Sequence, residues 1–242
     1  MSFMVHFHRL GAPLGAALLA LAGCAAQPPA APPVQPAPQS APATLSSAAL
    51  GTTDATLRRT EQLMLGHWAS VATEVRASGQ VGADGRQLPI YLERDFKFLP
   101  AGRFELTVTG FVDAYGQQPT VRLLTRGHVV WRGAHPIAPG AQKVDFLVDE
   151  AYDVTPLAQG FADSINAQAL PGYAKWEMGR TQSVFGKDFA PFGLKAGQIV
   201  TEHELVYVKN GMLFWGARHV DGRGFDTDAN RPTNLQVPLV RK

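Results

Sequence analysis

Two strand-like motifs near the ends of the folded region constrain this chain more than any other feature. At the start, Gly66-His67-Trp68 places a large aromatic residue just after a glycine at a strand entry, as in small β-barrels whose interior is filled by side chains. At the end, residues 213–218 and 235–240 form a matching pair of strand-like segments. We therefore expect the opening and closing strands to pair with each other.

The sequence between these motifs has the signals of many short strands. Glycine and proline residues interrupt it at intervals of about ten residues. Within residues 103–115, the apolar residues Phe104, Leu106 and Val108 alternate with polar ones, which is the period of a half-buried strand. An antiparallel pattern of this kind predicts a mainly β protein, and we expect a barrel in preference to any α/β scheme.

Turn and helix signals divide the region further. Asn210-Gly211 is the strongest hairpin signal in the chain, and Gly127 predicts a turn between two strands. Asp54 is placed to cap a short helix that ends at Gly66, and a second helix is expected after Pro156. The sequence therefore predicts one or two short helices that cover the barrel.

The N-terminus has the features of a lipoprotein signal peptide, assigned to residues 1–23. Arg9 is the only formal charge before a short apolar run, and that run ends in Leu21-Ala22-Gly23-Cys24. The run is shorter than the roughly 20 apolar residues of a membrane-spanning helix. We expect cleavage before Cys24 and acylation of Cys24 with a group such as palmitate. An uncleaved signal anchor and a plain secretory peptide with a chance cysteine are the alternatives.

Residues 24–53 are predicted to be the lipidated cysteine and an Ala/Pro-rich disordered tether. The segment after Cys24 has no charge and no hydrophobic period, so it has too little apolar surface to fold. An extended chain of this kind reaches up to about 75 Å at about 3.1 Å per residue. Ala25 lacks the acidic side chain that retains lipoproteins at the inner membrane. We expect an anchor in the outer membrane that faces the periplasm.

Residues 54–242 form the predicted folded domain, and its composition limits the classes of partner. The formal net charge is +2 and the basic residues are scattered, so nucleic acid is not an expected partner. Cys24 is the sole cysteine, which excludes a disulfide within the chain. The membrane is the expected partner, through the lipid anchor.

A series of short motifs in this domain resembles, in order, the adenomatosis polyposis coli down-regulated (APCDD) domain family. The motifs are Gly66-x-Trp68-x-Ser70, Glu74-Val75-Arg76, Leu92-x-Arg94-x-Phe96-x-Phe98, Pro119-Thr120, Arg126-Gly127, Val154-Thr155-Pro156, Trp176-x-x-Gly179 with Gln182, and Phe214-x-Gly216-x-Arg218-x-x-Asp221-Gly222 through Pro238-Leu239-Val240. The resemblance implies an antiparallel lipocalin-like β-barrel with an apolar pocket for an acyl chain. Animal members carry cysteines that this chain lacks, most clearly at Thr73.

Apolar residues on the predicted strand faces are the candidates for the wall of such a pocket. They are Phe96, Phe98, Phe104, Leu106, Trp131, Phe146, Met212 and Phe214. The alternative is that these side chains fill a solid core, as they do in small barrels. Arg94 and Arg126, both within motifs of the resemblance, are the candidates for contact with an anionic head group, and ion pairs at the surface are the alternative role for each.

Trp68 and Arg218 are predicted to close one end of the barrel. Strand parity places Met212, Phe214, Gly216 and Arg218 on one face, and a guanidinium over an indole is a favourable cation–π pair. In lipocalin-like barrels such an Arg and Trp close the barrel. We therefore interpret both residues as structural.

No group of residues has the spacing of a metal site or a catalytic site. His128 and His135, the triplet Glu202-His203-Glu204, and the aspartates at 221, 226 and 228 have no recognised ligand spacing. We expect the first two groups on the outer face, in solvent, and the aspartates in a polar turn. No Gly-x-Ser-x-Gly motif is present. The prediction is a protein without catalysis, metal or cofactor.

Two functional hypotheses remain from the sequence. In the first, the domain is a membrane-anchored module whose barrel binds an acyl chain or a similar small hydrophobic ligand. In the second, it is a structural or protein-interaction module of the cell envelope that uses its outer surface. A retained lipid would favour the first, and a filled barrel with an exposed apolar patch would favour the second.

Overall fold

The structure, a computed structural model, describes residues 47–242. The predicted signal peptide, Cys24 and most of the predicted tether lie outside the described residues. Within the described part, no helix is long and apolar enough to cross a membrane.

The described chain is mainly antiparallel β-sheet with two short helices, which confirms the coarse fold class. The helices are α1 (Ser47–Met64) and α2 (Gln159–Asn166). The strands are β1 (Gly66–Ser70), β2 (Glu74–Val81), β3 (Gln87–Phe98), β4 (Arg103–Phe111), β5 (Pro119–Ala134), β6 (Gln142–Pro156), β7 (Gln182–Ser183), β8 (Val200–Lys209), β9 (Met212–Trp215) and β10 (Leu239–Arg241).

The expected pairing of the opening and closing strands is present. The strand order is β1-β10-β9-β8-β6-β5-β4-β3-β2, and β7 pairs with β6. β1 lies antiparallel to β10, with Trp68 opposite Arg241. β1 also pairs with the C-terminal half of β3, where Trp68 lies opposite Phe96. β1 is therefore hydrogen-bonded to strands on both of its sides.

One face of the sheet carries the core, and we call it the inner face. In β4 the alternation predicted from sequence is confirmed, because Phe104, Leu106 and Val108 are buried. The same alternation continues in β3 and β6, where Phe96 and Phe146 are fully buried. The period of two residues along each strand therefore separates core side chains from those that face solvent.

The segment 157–199 covers one end of the sheet and adds a second group of aromatic side chains. It contains α2, β7 and a 3₁₀ turn at Ala190–Phe192. The Phe189 ring lies 5.4 Å from the Trp176 ring and 5.2 Å from the Phe192 ring. Phe192 in turn lies 6.3 Å from Tyr152 on β6, which joins this segment to the core of the sheet.

Two elements differ from the sequence-based expectation. α1 begins at Ser47, so Asp54 lies inside the helix, where it pairs with Arg58. Gly127 lies inside the single long strand β5, at an irregularity in its pairing with β6. A Cβ atom at this position would overlap the carbonyl oxygen of Leu147. Close backbone approach, not a turn, therefore explains the glycine.

Candidate functional site

A groove with apolar walls lies between the C-terminal end of α1 and the start of β4. Its volume is about 420 Å³. We call it the helix groove. Met64, Leu65, Phe98, Leu99, Val129 and Trp131 supply most of its apolar lining, and Glu61, Gln62 and Arg103 are its polar lining residues. Leu65 and Leu99 are 40% and 36% exposed, so apolar surface at this groove remains in contact with water.

Trp68 and Arg241 hold the end of α1 that forms one side of the helix groove. The indole N–H of Trp68 donates to the carbonyl of Met64 at 2.7 Å. The Arg241 guanidinium lies 4.3 Å from the Trp68 ring centroid and donates to the carbonyls of Leu63 and Leu65 at 2.6 and 2.9 Å. The last carbonyls of a helix have no partner within it, so these bonds fix its end.

The cation on Trp68 is therefore Arg241, and the predicted pairing of Trp68 with Arg218 is wrong. β9 ends at Trp215, so the strand parity that was extended to Arg218 does not apply beyond that residue. Arg218 instead donates to the carbonyl of Gly222. The prediction that Trp68 is a core residue near the joined termini of the sheet is consistent with its complete burial.

Most of the predicted wall residues pack against one another. The Phe96 ring centroid lies 4.3 Å from that of Phe98, 5.6 Å from those of Phe104 and Phe146, and 4.9 Å from that of Trp215. These rings are at most 6% exposed, and Leu106 is fully buried beside them. We call the five rings the aromatic layer. Of the predicted wall residues, only Phe98 and Trp131 line the helix groove.

Met212 and Phe214 lie on the opposite face from the one predicted. In β9 the buried residues are Leu213 and Trp215, and Phe214 lies 6.1 Å from Tyr207 on the outer side. The hairpin register explains this, because Met212 pairs with Lys209 and paired residues share a face. Lys209 faces solvent, so Met212 lies on the same outer face.

Arg94 belongs to a buried ionic cluster on the inner face of β2 and β3. Its Nε donates to Glu74 at 2.8 Å, and Arg76 donates to the other oxygen of Glu74 at 2.7 Å. Burial alone raises the pKa of Glu74, but Arg94 and Arg76 outweigh it and lower the pKa to about 2. Burial, with the nearby Arg76, lowers the pKa of Arg94 to about 10, so Arg94 stays a cation at neutral pH.

Arg126 lies on the outer face, where it does not reach the core. Its guanidinium donates to Glu105 at 3.0 Å, and its side chain is 43% exposed. Glu105 also accepts from Lys97 at 2.8 Å. Of the two predicted head-group contacts, only Arg94 therefore faces the interior, and Arg126 has the alternative role of a surface ion pair.

A second cavity, about 430 Å³ in volume, lies at the end of β8 that is remote from α1. We call it the upper pocket; its apolar lining residues are Tyr152, Phe192, Leu194, Ile199, Val200 and Phe225. Glu202 and Asp226 also line it. Burial, followed by the charge of Glu202, raises the pKa of Tyr152 well above its usual value, so its hydroxyl stays protonated.

The residues considered for metal binding have other partners. His128 bonds to Asp149 at 2.9 Å and His203 to Asp145 at 3.0 Å. Glu202 and Glu204 are buried, which contradicts the expectation that their triplet faces solvent. Among residues 47–242, no group of three or more His, Cys, Asp or Glu side chains is arranged to hold a metal ion.

Sequence reasoning missed several residues at these sites. Glu74 and Arg76 were named only as part of a motif, and Trp215 was not among the predicted wall residues. The alternation of residues along β8 could have identified Trp215 as a core residue. Val206 and Tyr207 lie on opposite faces of β8, and Trp215 pairs with Val206. No sequence signal marks Met64, Leu99 or Val129 as neighbours, since they come from three separate parts of the chain.

Comparison with known proteins identifies no relative, because no protein-family model and no curated protein sequence matches the chain.

Proposed function

We propose that this protein is a lipid-anchored, non-enzymatic protein of the cell envelope, and that its helix groove binds an acyl chain or a similar small hydrophobic ligand. The observation that carries the proposal is the groove itself. Its volume of about 420 Å³ lies within the usual range for ligand pockets, and its walls are mainly apolar. Phe98 and Trp131, two of the wall residues expected from the sequence, lie on it.

A lipocalin-like barrel is part of the same proposal. The pairing of β1 with both β10 and β3 supports it, because a strand bonded on both sides joins the two ends of the sheet order. Because β10 and β3 both pair with β1, β1 has no long unpaired edge. In such a barrel the aromatic layer fills the middle, and α1 covers the end at which the helix groove opens.

The surface around the groove agrees with a role at a membrane. α1 begins at Ser47, within the last residues of the predicted tether, and its C-terminal end forms one side of the groove. Leu63, Leu65 and Leu99, which are 36% to 41% exposed, give this end an apolar surface.

Fatty acids of increasing length test the proposal. Each methylene buried in the groove contributes about 0.8 kcal/mol, so the dissociation constant should fall about fourfold per added carbon until the groove is full. Trp131 lines the groove, and its fluorescence reports binding. Binding that is absent, or independent of chain length, in the folded protein would contradict the proposal.

A pair of leucine variants tests whether the ligand binds in the helix groove. Leu99→Glu puts a charge in the groove and should weaken binding of every chain length. Leu88→Glu is the matched control, because Leu88 lies on β3 outside the groove and is 42% exposed, close to the 36% of Leu99. Equal effects of the two variants would count against the groove as the binding site.

A second candidate function, an interaction module of the envelope, is supported by a different surface. Val71, Val75, Val112 and Tyr115 are 56% to 84% exposed. They lie on the β1–β2 and β4–β5 connections and on β2, which meet where the Gly116 backbone approaches Thr73. An exposed apolar group of this kind is typical of protein contacts. Fatty-acid titration separates the two candidates, since the interaction module requires no acyl binding.

A further inference from the structure

Arg94, Trp215 and Thr125 are three of the buried side chains that have hydrogen-bonding groups without partners, and all three lie on the inner face. Among the described residues, Nη1 and Nη2 of Arg94, Nε1 of Trp215 and Oγ1 of Thr125 are buried and lack a hydrogen bond. Buried polar groups in proteins are nearly always bonded, and a cluster of exceptions indicates a guest or ordered water. The cluster is fully enclosed, because all three side chains are at most 2% exposed.

Two of these side chains, Arg94 and Trp215, lie near Phe96, and Thr125 lies two strands away on the same face. Arg94 precedes Phe96 by two residues on the same face of β3, and its guanidinium carbon lies 5.4 Å from the Trp215 ring centroid. The Trp215 ring lies 4.9 Å from that of Phe96. Thr125 is aligned with Phe96 through Leu106, which pairs with both. The orphan groups therefore share the inner face of the sheet, with Arg94 and Trp215 adjacent to each other.

The chemistry of the orphan groups selects the guest. Guanidinium and indole N–H groups donate only, and a threonine hydroxyl donates or accepts. The guest must therefore accept several hydrogen bonds, which a carboxylate does and an amine does not. Bonds between an ionised donor and an ionised acceptor are about twice as strong as neutral ones. Arg94 Nε is already bonded to Glu74, so its two amino groups remain for the guest.

The upper pocket adjoins this region through Tyr152 and offers a place for the rest of the guest. Thr125 lies directly across the strand pair from Tyr152, and Tyr152 lines the upper pocket. Phe192, Val200 and Phe225 give that pocket apolar walls. Glu202 and Asp226 are its charged lining residues, so a second negative charge on the guest would be repelled.

Charge alone does not determine the guest in this region. Arg76, Arg94 and Arg218 are balanced by Glu74, Glu202 and Glu204. Burial is the main cause that lowers the pKa of Arg218, while Glu202 and Glu204 act to raise it, so these groups lie within electrostatic range of one another. The unfilled donors and the apolar lining of the upper pocket, not net charge, therefore select the guest.

We propose that the inner face binds a small monocarboxylate with an apolar body, with its carboxylate on Arg94, Trp215 and Thr125 and its body in the upper pocket. This site is separate from the helix groove and does not depend on the binding of an acyl chain there. The aromatic layer lies between the two, because Phe98 borders the helix groove and Phe96 borders the orphan donors.

Benzoate and its neutral analogue benzamide test the proposal on the full chain. The indole N–H signals of the four tryptophans are followed by NMR, with Trp215→Phe to assign the signal of Trp215. Benzoate should shift the Trp215 signal in a saturable way and leave that of Trp68, whose N–H is bonded to Met64, unchanged. Benzamide should bind about tenfold more weakly or worse, since it lacks the charge.

Arg94 variants test the assignment of the carboxylate. Arg94→Gln should abolish the preference for benzoate, and Arg94→Lys, which keeps a cation beside Glu74, should weaken benzoate about tenfold by loss of the planar fork. Arg126→Gln is the control, because Arg126 is an ion-paired arginine on the outer face. It should bind benzoate as the wild type does.

Each result decides the proposal. A saturable shift with benzoate, lost in the Arg94 variants and kept in Arg126→Gln, supports it. Equal affinity for benzoate and benzamide, or no saturable shift in wild type, overturns it and leaves ordered water as the partner of the orphan donors. Unchanged benzoate affinity in folded Arg94→Lys or Arg94→Gln also overturns it. If Arg94→Gln does not fold, Arg94→Lys and the wild-type comparison still decide.

Discussion

Glu74 is the residue on which the buried ionic cluster depends. It accepts hydrogen bonds from Arg94, Arg76 and Ser70, and each of its carboxylate oxygens has an arginine partner. Replacement of one member of a buried ion pair leaves an uncompensated charge, which costs about 3 to 5 kcal/mol. Glu74→Gln should therefore lower the free energy of unfolding by about this amount at neutral pH.

The pKa of Glu74 also predicts how stability varies with pH. Its value falls from the usual 4.5 to about 2 on folding, so its ionised form favours the folded state. The contribution, about 3 kcal/mol, is complete above pH 4.5 and is lost as the pH falls towards 2. Denaturant melts across this window should show a steeper loss in wild type than in Glu74→Gln.

Glu150→Gln is the control for the acid series, because Glu150 pairs with Arg103 at the surface. Its effect on the pH dependence should be much smaller than that of Glu74→Gln. Equal slopes for wild type and Glu74→Gln below pH 4.5 would show that Glu74 does not carry the acid sensitivity.

Trp68 and Arg241 should be coupled, whereas Trp68 and Arg218 should not. Trp68→Ala removes a fully buried indole and should cost about 3 to 5 kcal/mol. A double-mutant cycle with Arg241→Ala should give a coupling energy of about 0.5 to 2 kcal/mol, since the guanidinium lies 4.3 Å from the ring centroid. The same cycle with Arg218→Ala is the control, and equal coupling in the two cycles would contradict the structure.

At the scale of residues, the sequence predicted which side chains are buried better than which side chains contact each other. The alternation in β4 identified Phe104, Leu106 and Val108 correctly, because a regular strand fixes the face of each residue. Strand parity did not place Arg218 correctly, since β9 ends at Trp215. Residues that meet through tertiary structure, such as Glu74 and Arg94, leave no local pattern, so their pairing could not be predicted.

At the scale of elements, Gly127 tests the close approach of β5 and β6. An alanine Cβ at this position would overlap the Leu147 carbonyl, which is backbone and cannot turn aside. Overpacking of this kind costs about 1 to 3 kcal/mol, and we expect Gly127→Ala near the upper limit. Thermal or denaturant melts measure the change.

Gly160→Ala is the matched control for this substitution. No heavy atom lies within 4 Å of a Cβ at Gly160, which is on α2, and alanine should stabilise that helix by about 0.5 kcal/mol. Opposite signs for the two substitutions are therefore expected. A neutral Gly127→Ala would mean that the strands do not approach as closely as the structure has them.

The elements show which sequence signals are reliable. Asn210-Gly211 predicted the β8–β9 hairpin, in which Lys209 pairs with Met212, because few residues accept the positive φ that this turn needs. Gly127 was interpreted as a turn because a glycine within a strand and a glycine in a turn look alike in sequence. The structure distinguishes the two cases, because the close approach of β6 shows why no side chain fits at Gly127.

At the scale of the whole molecule, the anchor stays a prediction because Cys24 lies outside the described residues. Cys24→Ser should prevent acylation and move the protein from the membrane fraction to the soluble fraction. Metabolic labelling with palmitate, followed by fractionation, measures both effects. Label that still enters the variant, or a variant that stays with the membrane, would contradict the lipoprotein assignment.

The pairing of the terminal strands was predictable at this scale, whereas the distribution of filled and open space was not. The opening and closing motifs indicated that β1 and β10 would meet, and they do. Most of the aromatic residues chosen as a pocket wall pack together around Phe96, and only Phe98 and Trp131 line the helix groove. Whether large side chains line a cavity or fill it depends on how their volumes add up across strands, which a list of residues does not give.

Native mass spectrometry of the lipoprotein, extracted from its own membrane in a mild detergent, tests the proposed acyl-binding function most directly. We predict a second series of peaks, heavier than the acylated chain by the mass of one fatty acid or lipid, that disappears on collisional activation and is depleted in Leu99→Glu but not in Leu88→Glu. A wild-type protein that gives only the mass of the acylated chain, under conditions in which it remains folded, would contradict the account.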